Sequence, residues 1–414
     1  MSDRFANMPD GPFAQLNSLL EGVQPGQDPI MMSIGEPQHA FPQFVSDVLR
    51  AHEKDYGKYP PIIGTTPFRD AAAGWLARRY NLPPEVLEPD ARILPVNGTR
   101  EALFNLALVA CPTEKASKQP AVLMPNPFYQ CYASAAIAAG AEPHYIAATA
   151  ENGFLPDFET LDSDLLARTA MIYFCSPANP QGTVAPLDYL KRLISLAREH
   201  DITLVIDECY ADIYDRDEPP GGLQAALELA VPKSGDVFEN IIVFHSLSKR
   251  SNLPGLRTGF CAGDKALINR FRAFRNIAAP QTPLPVLAAA TACWNDDAHS
   301  AENRARYQVK NDIAERIIGN RYGFYRPAGG FFLWLDVGDG VAVTKQLWAD
   351  AGLKVLPGGY LARDDATIPD GNPGARFLSL ALVPAETTVA DALPRLTHAS
   401  SKGTNHATRK THSQ

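Results

Sequence analysis

Short apolar segments alternate with helix-like segments through the middle of this 414-residue chain. Strands that are apolar without interruption indicate a mostly parallel β-sheet covered by helices on both faces, because a strand with one solvent-exposed face would alternate apolar and polar residues. An α/β fold is therefore expected. The predicted strands are Arg92–Val96, Ala121–Met124, Met171–Cys175, Ile202–Ile206, Ile241–Phe244 and Thr258–Ala262. The predicted helices are Arg100–Ala110, Phe128–Ala139, Pro186–Glu199 and Asp264–Asn276.

The pattern changes near residue 290, which indicates a second domain. A long polar helix is predicted over Glu302–Ile318, and the apolar runs Phe331–Leu335 and Phe377–Val383 follow it. These segments predict a smaller α+β domain, whereas the polar C-terminal segment has no apolar periodicity. The expected divisions are 46–290 for the large domain, 1–45 together with 291–399 for the small domain, and 400–414 for a disordered tail.

Composition and charge disfavour several classes of function. The net charge is −8 without a basic cluster, so nucleic acid is not expected as a partner, because binding to phosphates needs grouped Lys and Arg. The apolar runs are too short for a membrane span, and no signal peptide is expected. The six cysteines are scattered without CxxC spacing, which indicates buried thiols in a reducing cytoplasm and no metal site. For Cys209 a packing role is favoured over a reactive one.

Residues suited to ligand binding or catalysis follow several of the predicted strands. Gly98, Asn126, Asn179, Asp207 and Ser246 each come shortly after the end of a strand. In open parallel sheets the ligand binds beyond the carboxyl ends of the strands. The sequence therefore predicts a binding site at this edge of the sheet.

The segment from His245 to Gly259 carries the clearest chemical signal. Lys249 lies among hydroxyl side chains, and Arg257 follows eight positions later. A lysine amine can condense with an aldehyde to form an imine, and hydroxyl groups with an arginine can bind a phosphate beside it. Pyridoxal 5'-phosphate is an aldehyde that carries a phosphate. A solvated lysine in a polar surface loop is the alternative that this segment alone leaves open.

A pyridoxal enzyme also needs groups that hold the ring of the cofactor. Asp207 ends a buried strand, where a carboxylate needs a cationic partner such as a pyridinium, although a structural ion pair would serve too. Tyr210 and Asn179 could both donate to the phenolate oxygen of the cofactor. The Asn179-Pro180 pair is otherwise an ordinary turn signal.

The first half of the chain contains candidate residues for stacking on the cofactor ring and for binding its phosphate. Gly98, Thr99 and Arg100 open a helix directly after a strand, and the free N–H groups of a helix start bind phosphate well. A helix N-cap at Thr99 explains the same residues equally well. Tyr129 could stack on the pyridine ring, although aromatic residues near a helix start more often belong to the core.

Taken in order, these motifs resemble the class I and II aminotransferases, which are fold type I enzymes dependent on pyridoxal phosphate. The resemblance extends from about Ile34 to about Val383, and the block Ser-Leu-Ser-Lys…Pro-Gly-Leu-Arg-Thr-Gly is highly specific. It implies a mostly parallel central sheet in a large domain plus a smaller α+β domain. The implied substrates are amino acids and keto acids.

The resemblance also implies a role for each motif residue. Lys249 would bind the cofactor aldehyde and then carry the proton, and Asp207 would pair with the ring nitrogen. Tyr59 would reach the phosphate site of a neighbouring subunit, which implies a homodimer, and Gly35 would line the substrate pocket. The remaining implied cofactor contacts are Asn179 and Tyr210 to the phenolate oxygen, Tyr129 to the ring face, and Gly98, Thr99, Arg100, Ser246 and Arg257 to the phosphate, with Ser248 nearby.

Several sequence blocks are similar to the proteobacterial-type succinyldiaminopimelate transaminases. They include Ser33–Pro37, Pro125–Gln130, Phe244–Asn252 and Leu356–Arg363. This similarity implies transfer between glutamate and N-succinyl-2-amino-6-oxopimelate in diaminopimelate and lysine biosynthesis. A transaminase for other amino acids and a C–S β-lyase remain open.

Two other classes fit the sequence less well. A pyridoxal-binding regulator would need a DNA-binding domain, and the pyridoxal-type motifs already begin by residue 34. A nicotinamide oxidoreductase would need a G-x-G-x-x-G motif after a strand, which the sequence lacks.

One position departs from the family pattern. The family places an arginine on a late strand, where it binds the α-carboxylate of the substrate. An ungapped alignment puts that arginine at Ser379, and Arg376 lies three positions earlier, on the opposite face of a regular strand. A local bulge could return Arg376 to the site. We expect Arg376 to bind the carboxylate, because an unpaired carboxylate in a dry pocket is costly, with Arg363 and Arg326 as the other candidates.

Overall fold

The computed structural model describes residues 8, 11–368 and 371–407, with side chains as far as Thr397. Its strands are β1 (Ile30–Met31), β2 (Ile93–Val96), β3 (Ala121–Asn126), β4 (Glu142–Ala147), β5 (Thr169–Cys175), β6 (Thr203–Asp207), β7 (Ile241–Ser246), β8 (Gly259–Gly263), β9 (Phe332–Asp336), β10 (Leu353–Lys354), β11 (Leu356–Pro357) and β12 (Phe377–Ala381). Its α-helices are α1 (Pro12–Leu19), α2 (Gln43–Ala51), α3 (Thr66–Tyr80), α4 (Pro84–Leu87), α5 (Pro89–Arg92), α6 (Thr99–Ala110), α7 (Gln130–Ala138), α8 (Ser163–Arg168), α9 (Leu187–Glu199), α10 (Gly222–Leu227), α11 (Leu247–Arg250), α12 (Lys265–Ala278), α13 (Leu284–Asn295), α14 (Ala298–Ile318), α15 (Gly340–Ala351) and α16 (Glu386–Ala407).

A seven-stranded sheet forms the centre of the large domain, in the order β2-β8-β7-β6-β5-β3-β4. The five strands from β7 to β4 run parallel, whereas β8 is antiparallel to both β7 and β2. Side chains of each central strand alternate between two cores. In β5, Ile172 and Phe174 pack into one core, while Met171 and Tyr173 pack into the other. Both faces are buried, so the predicted mostly parallel α/β sheet is confirmed.

Helices cover the two faces of this sheet in separate groups. Residues of α3, α9, α10 and α13 pack into the core on one face. Residues of α6, α7 and α12 pack into the core on the other face. Both domain boundaries predicted from the sequence fall inside helices, because residue 45 lies in α2 and residue 290 lies in α13, and these two helices pack against each other.

The smaller domain contains an antiparallel sheet, β11-β12-β9, and the short parallel pair β1-β10. Its core combines residues of α14, α15 and α16 with Ile30 and Met32 from the N-terminal segment. Within the described residues no helix is both long and apolar enough to span a bilayer. The last helix, α16, is described as far as Ala407. Residues 408–414 lie outside the described part of the chain.

Candidate active site

A cavity of about 460 Å³ lies at the carboxyl ends of the parallel strands. Asp207 ends β6 and Ser246 ends β7, and both line this cavity. The small domain contributes Phe332 of β9 and Ser379 of β12. Of the five residues that the sequence analysis places after strand ends, Asn179, Asp207 and Ser246 line this cavity, whereas Gly98 and Asn126 are not among its lining residues.

Lys249 presents its amine to this cavity from the short helix α11, directly after β7. The Nζ atom donates a hydrogen bond to the carbonyl oxygen of Gly35 and lies 5.3 Å from the ring centre of Phe331. Burial lowers the pKa of Lys249 to about 8, because a charged amine loses its hydration there. More of this amine is therefore neutral and nucleophilic near physiological pH than of an ordinary lysine, although the protonated form still predominates there.

Asp207 presents a carboxylate to the same cavity. It accepts hydrogen bonds from the Tyr132 hydroxyl at 2.9 Å and from the backbone N–H of Cys209 at 3.2 Å. Among the residues that the structure describes, no Lys, Arg or His forms an ion pair with it, and burial raises the pKa of the carboxyl. The site thus holds a buried acid that would gain from a cationic ligand.

Tyr132 was not singled out by the sequence analysis, although it holds Asp207. Its ring stacks on Tyr173 at 4.5 Å between centroids with 6° between the planes, and both rings are fully buried. Tyr132 lies three residues after Tyr129, where a helix presents the same face. That spacing is the signal that could have identified it.

Gly98 and Arg257 form a tight contact at the start of α6. Gly98 has φ +79°, and a Cβ atom there would overlap the guanidinium of Arg257. Arg257 donates to the carbonyl oxygens of Pro254 at 2.8 Å and Asn97 at 3.4 Å. Only glycine leaves room for this cation beside the free N–H groups at Thr99, and the pair makes a site for an anion.

Hydroxyl and phenol groups surround the same end of the cavity. Ser246 Oγ donates to Ser248 Oγ at 2.9 Å and accepts from the backbone N–H of Ser248 at 3.1 Å. Arg100 Nε donates to the Tyr129 hydroxyl at 2.5 Å. Burial raises the pKa of Tyr129 to about 12, so its ring remains a neutral phenol.

Asn179 and Tyr210 both line the cavity. The ring of Tyr210 packs edge-on against the rings of Phe331 and Phe332, at 5.4 and 6.1 Å between centroids. Burial raises the pKa of Tyr210 well above its ordinary value. Tyr210 therefore keeps its proton and can act as a hydrogen-bond donor.

Gly35 and Tyr59 occupy different surroundings. Gly35 lines the cavity, and a Cβ atom there would overlap the ring of Phe332. Tyr59 is 98% exposed and does not line the cavity of its own chain. The position of Tyr59 is open to a neighbouring molecule.

Arg376 lies outside the cavity, which corrects the expectation that it binds a substrate carboxylate. Its Nε and Nη2 atoms donate to Asp336 at 3.2 and 3.1 Å. Strand β12 pairs with β9 in regular register from Phe377 to Ala381, so no bulge turns Arg376 around. Ser379 lines the cavity instead.

The two other arginine candidates also lie outside the cavity. Arg326 pairs with Asp215 at 2.7 Å. The guanidinium of Arg363 lies over the ring of Phe128 at 5.2 Å.

Phe13 of α1 also lines the cavity, and the sequence analysis missed it. It is 42% exposed, and it lies more than 200 residues before Lys249 in the chain. Only the folded chain brings these two positions together.

Comparisons with known proteins match this geometry. The family described as aminotransferase class I and II matches residues 27–366. The 4-dedimethylamino-4-oxo-anhydrotetracycline transaminase OxyQ of Streptomyces rimosus is 32% identical over 369 residues, which cover 89% of this chain and 93% of the relative. The LL-diaminopimelate aminotransferase 2 of Trichormus variabilis is 28% identical over 403 residues, which cover 95% of this chain and 97% of the relative.

The crystal structure of an aminotransferase from Neisseria meningitidis is also similar. It superposes with a TM-score of 0.89 at 36% sequence identity, and the match covers 96% of this chain and 99% of that one. The similarity therefore extends over both domains.

Proposed function

The chain belongs to the class I and II aminotransferases, a family that depends on pyridoxal 5'-phosphate, and we propose that it transfers an amino group at the cavity around Lys249. One observation carries this proposal. The amine of Lys249 and the carboxylate of Asp207 face a single cavity, and Asp207 has no ion-pair partner among the described residues. A lysine that can bind an aldehyde and an acid that needs a cation are what this cofactor requires.

The residues present fit the cofactor at each of its ends. Asp207 would hold the ring nitrogen in its protonated form, and Arg257 with the start of α6 would bind the phosphate. Tyr129 would lie against the ring. When bound, pyridoxal phosphate supplies an electron sink for the bond broken at the carbon that carries the nitrogen.

Lys249 would do two things in turn. It would hold the cofactor aldehyde covalently, and an incoming amine would then displace it. The freed amine, with its pKa lowered to about 8 by burial, would take a proton from the substrate carbon and deliver it to the former aldehyde carbon of the cofactor. A group with a pKa near the working pH is well suited to both transfers.

The substrate pair is the finer question, and two classes are supported. The sequence blocks support glutamate with N-succinyl-2-amino-6-oxopimelate. The similarity over 95% of the chain to an LL-diaminopimelate aminotransferase supports a substrate related to diaminopimelate. The name of the Streptomyces rimosus relative instead gives a 4-oxo compound as its substrate. The placement of Ser379 in the cavity, where the family has an arginine, favours a substrate of the second kind.

We propose a homodimer as the active unit. Tyr59 is almost fully exposed. A residue that enters the site of a neighbouring subunit is exposed when one chain is viewed alone, and a two-fold pair is the commonest oligomer. A reducing, cytoplasmic location is also proposed, because all six cysteines are free thiols.

Chemical labelling tests the cofactor assignment. Purified protein with pyridoxal phosphate is expected to absorb visible light, and borohydride reduction followed by peptide mass mapping should place the label on Lys249. Lys249→Ala should abolish both labelling and turnover, whereas Lys265→Ala, at a half-exposed lysine paired with Glu88, should retain both. A label on another lysine would contradict the proposal.

A further inference from the structure

We infer that the substrate favoured by this cavity has no carboxylate on its reacting carbon. Such a substrate is a primary amine, or the matching ketone or aldehyde, in place of an α-amino or α-keto acid. The inference deepens the proposed aminotransferase function and rests on it. It concerns the substrate class that the lining residues admit.

The cationic side chains of the cavity lie at its cofactor end. Among the described residues, Arg100, Lys249 and Arg257 supply the positive charge of the cavity lining. Lys249 is the attachment point for the cofactor. Arg257 lies against Gly98 at the start of α6, and Arg100 is hydrogen-bonded to Tyr129. All three therefore serve the end of the cavity that the cofactor would occupy.

On its small-domain side, the cavity is lined by the neutral residue Ser379. Ser379 pairs in register with Leu356 on one neighbouring strand and with Trp334 on the other. The side chain of Ser379 is 3% exposed and carries no charge. An arginine at this position would supply a cation to the cavity, and the serine leaves a neutral hydroxyl in its place.

Nearby arginines do not make up for this serine. Arg376 is held by Asp336 outside the cavity, and Arg326 is held by Asp215. A carboxylate bound beside Ser379 would lose its hydration without gaining an ionic partner, which is strongly unfavourable. The same place accommodates a hydrogen or an alkyl group without that penalty.

The remaining lining suits an uncharged substrate body. Phe13, Leu155, Phe332, Leu356 and Leu361 all line the cavity. Apolar walls of this kind favour hydrocarbon or aromatic groups and disfavour charged ones. Glu36 and Asp207 are the acidic residues of the lining. The negative charge of Glu36 also opposes an anionic substrate.

The reaction balances for this substrate class without an added oxidant. In the first half, the C–N bond of the amine breaks, and its carbon gains a carbonyl oxygen from water. The amino group and the electron pair of the broken C–H bond stay on the cofactor. In the second half, a ketone or aldehyde acceptor takes both and releases water.

Matched substrate pairs test the inference on the parent enzyme. Phenylalanine differs from 2-phenylethylamine, and glutamate from 4-aminobutyrate, only by the carboxylate on the reacting carbon. We expect the half-reaction rate constant divided by the apparent dissociation constant to be at least about tenfold higher for the amine in each pair. A higher value for phenylalanine or glutamate would overturn the inference.

Two variants locate the cause. Ser379→Arg should raise the value for phenylalanine by about 100-fold relative to 2-phenylethylamine, because it restores a charge-assisted pair. Arg376→Ala is the matched control and should leave both values unchanged, since that side chain lies outside the cavity. A selective loss of phenylalanine reactivity in Arg376→Ala would overturn the inference, even where Ser379→Arg fails to fold.

Binding of an unreactive acid gives a readout apart from turnover. Calorimetry with 3-phenylpropionate should detect no binding to the parent holoenzyme and clear binding to Ser379→Arg. Tight binding to the parent enzyme would show that a cation of the chain or of a second subunit holds the carboxylate, and would overturn the inference. Failure of the proposed function looks different, since Lys249 would then carry no label.

Discussion

Lys249 and Asp207 are shifted toward their neutral forms by the same cause. Burial lowers the pKa of the lysine and raises the pKa of the carboxyl. A ligand that brings a covalent partner for the amine and a cation for the carboxylate would relieve both penalties. Binding of pyridoxal phosphate should therefore stabilise the folded protein.

The neutral amine makes cofactor attachment depend on pH. The folded-state pKa of Lys249 is about 8 instead of the ordinary 10.5, so the reactive form grows as pH rises through about 8. We expect the rate of attachment to the cofactor-free protein to rise between about pH 7 and 9 and then level off. Stopped-flow absorbance measures it, and a rate that keeps rising toward pH 10.5 would contradict the assignment.

The carboxylate of Asp207 can be tested without changing its shape. Asp207→Asn keeps an oxygen for the Tyr132 hydroxyl but cannot stabilise a charged ring nitrogen. We expect kcat to fall by about 100- to 1,000-fold while Lys249 remains labelled by borohydride. Asp207→Glu should recover part of the rate because it restores the charge. A threefold loss or less in Asp207→Asn would exclude the proposed pairing.

At the scale of elements, the turn between β2 and α6 joins the sheet to the end of the site where the proposal places the cofactor phosphate. Gly98 is required there twice, by its positive φ and by the guanidinium that lies where a Cβ would be. Gly98→Ala should therefore weaken pyridoxal phosphate binding by at least about tenfold, measured by equilibrium titration. Gly235→Ala is the comparison, because Gly235 has a nearly equal φ of +78° with open space around it. Equal losses in both variants would assign the effect to strain alone.

The elements that the sequence predicted best are those buried on both sides. Strands β5, β6 and β7 are apolar runs, and the structure places them within two residues of the expected ends. Strand β4 (Glu142–Ala147) was missed because it lies at the sheet edge with half-buried side chains, which interrupts the apolar pattern.

The same limit applies to the site. Residues such as Asp207 and Lys249 could be found because each follows a strand end or lies in a specific motif. The position of Arg376 could not be predicted from the sequence, because it depends on whether β12 contains a bulge. Hydrogen bonding to β9 decides that point, and this pairing is not visible in the local sequence.

At the scale of the whole molecule, the cavity is built by both domains. The large domain supplies Lys249 and Asp207, and the small domain supplies Phe332 and Ser379. The N-terminal segment adds Phe13 and Gly35 and also pairs with the small domain through β1. In the proposed function, the large domain supplies the lysine and the acid, and the small domain supplies the serine that faces the substrate.

A second subunit would complete this arrangement through Tyr59, and mixed dimers test it. Lys249→Ala and Tyr59→Ala should each be impaired when pyridoxal phosphate is limiting. If Tyr59 acts in the neighbouring site, a hybrid of the two variants contains one intact site. About one quarter of the parental activity should then return on mixing and reassociation, because half of the dimers are hybrid and one of their two sites is complete.

If Tyr59 acted within its own chain, each hybrid site would lack one of the two residues and no activity would return. Sedimentation velocity on the same mixtures establishes that dimers form. Tyr56→Ala is the control, because Tyr56 is also exposed, at 60%, and has no proposed role in either site. Mixing Lys249→Ala with Tyr56→Ala should then give only the activity that the second variant already has.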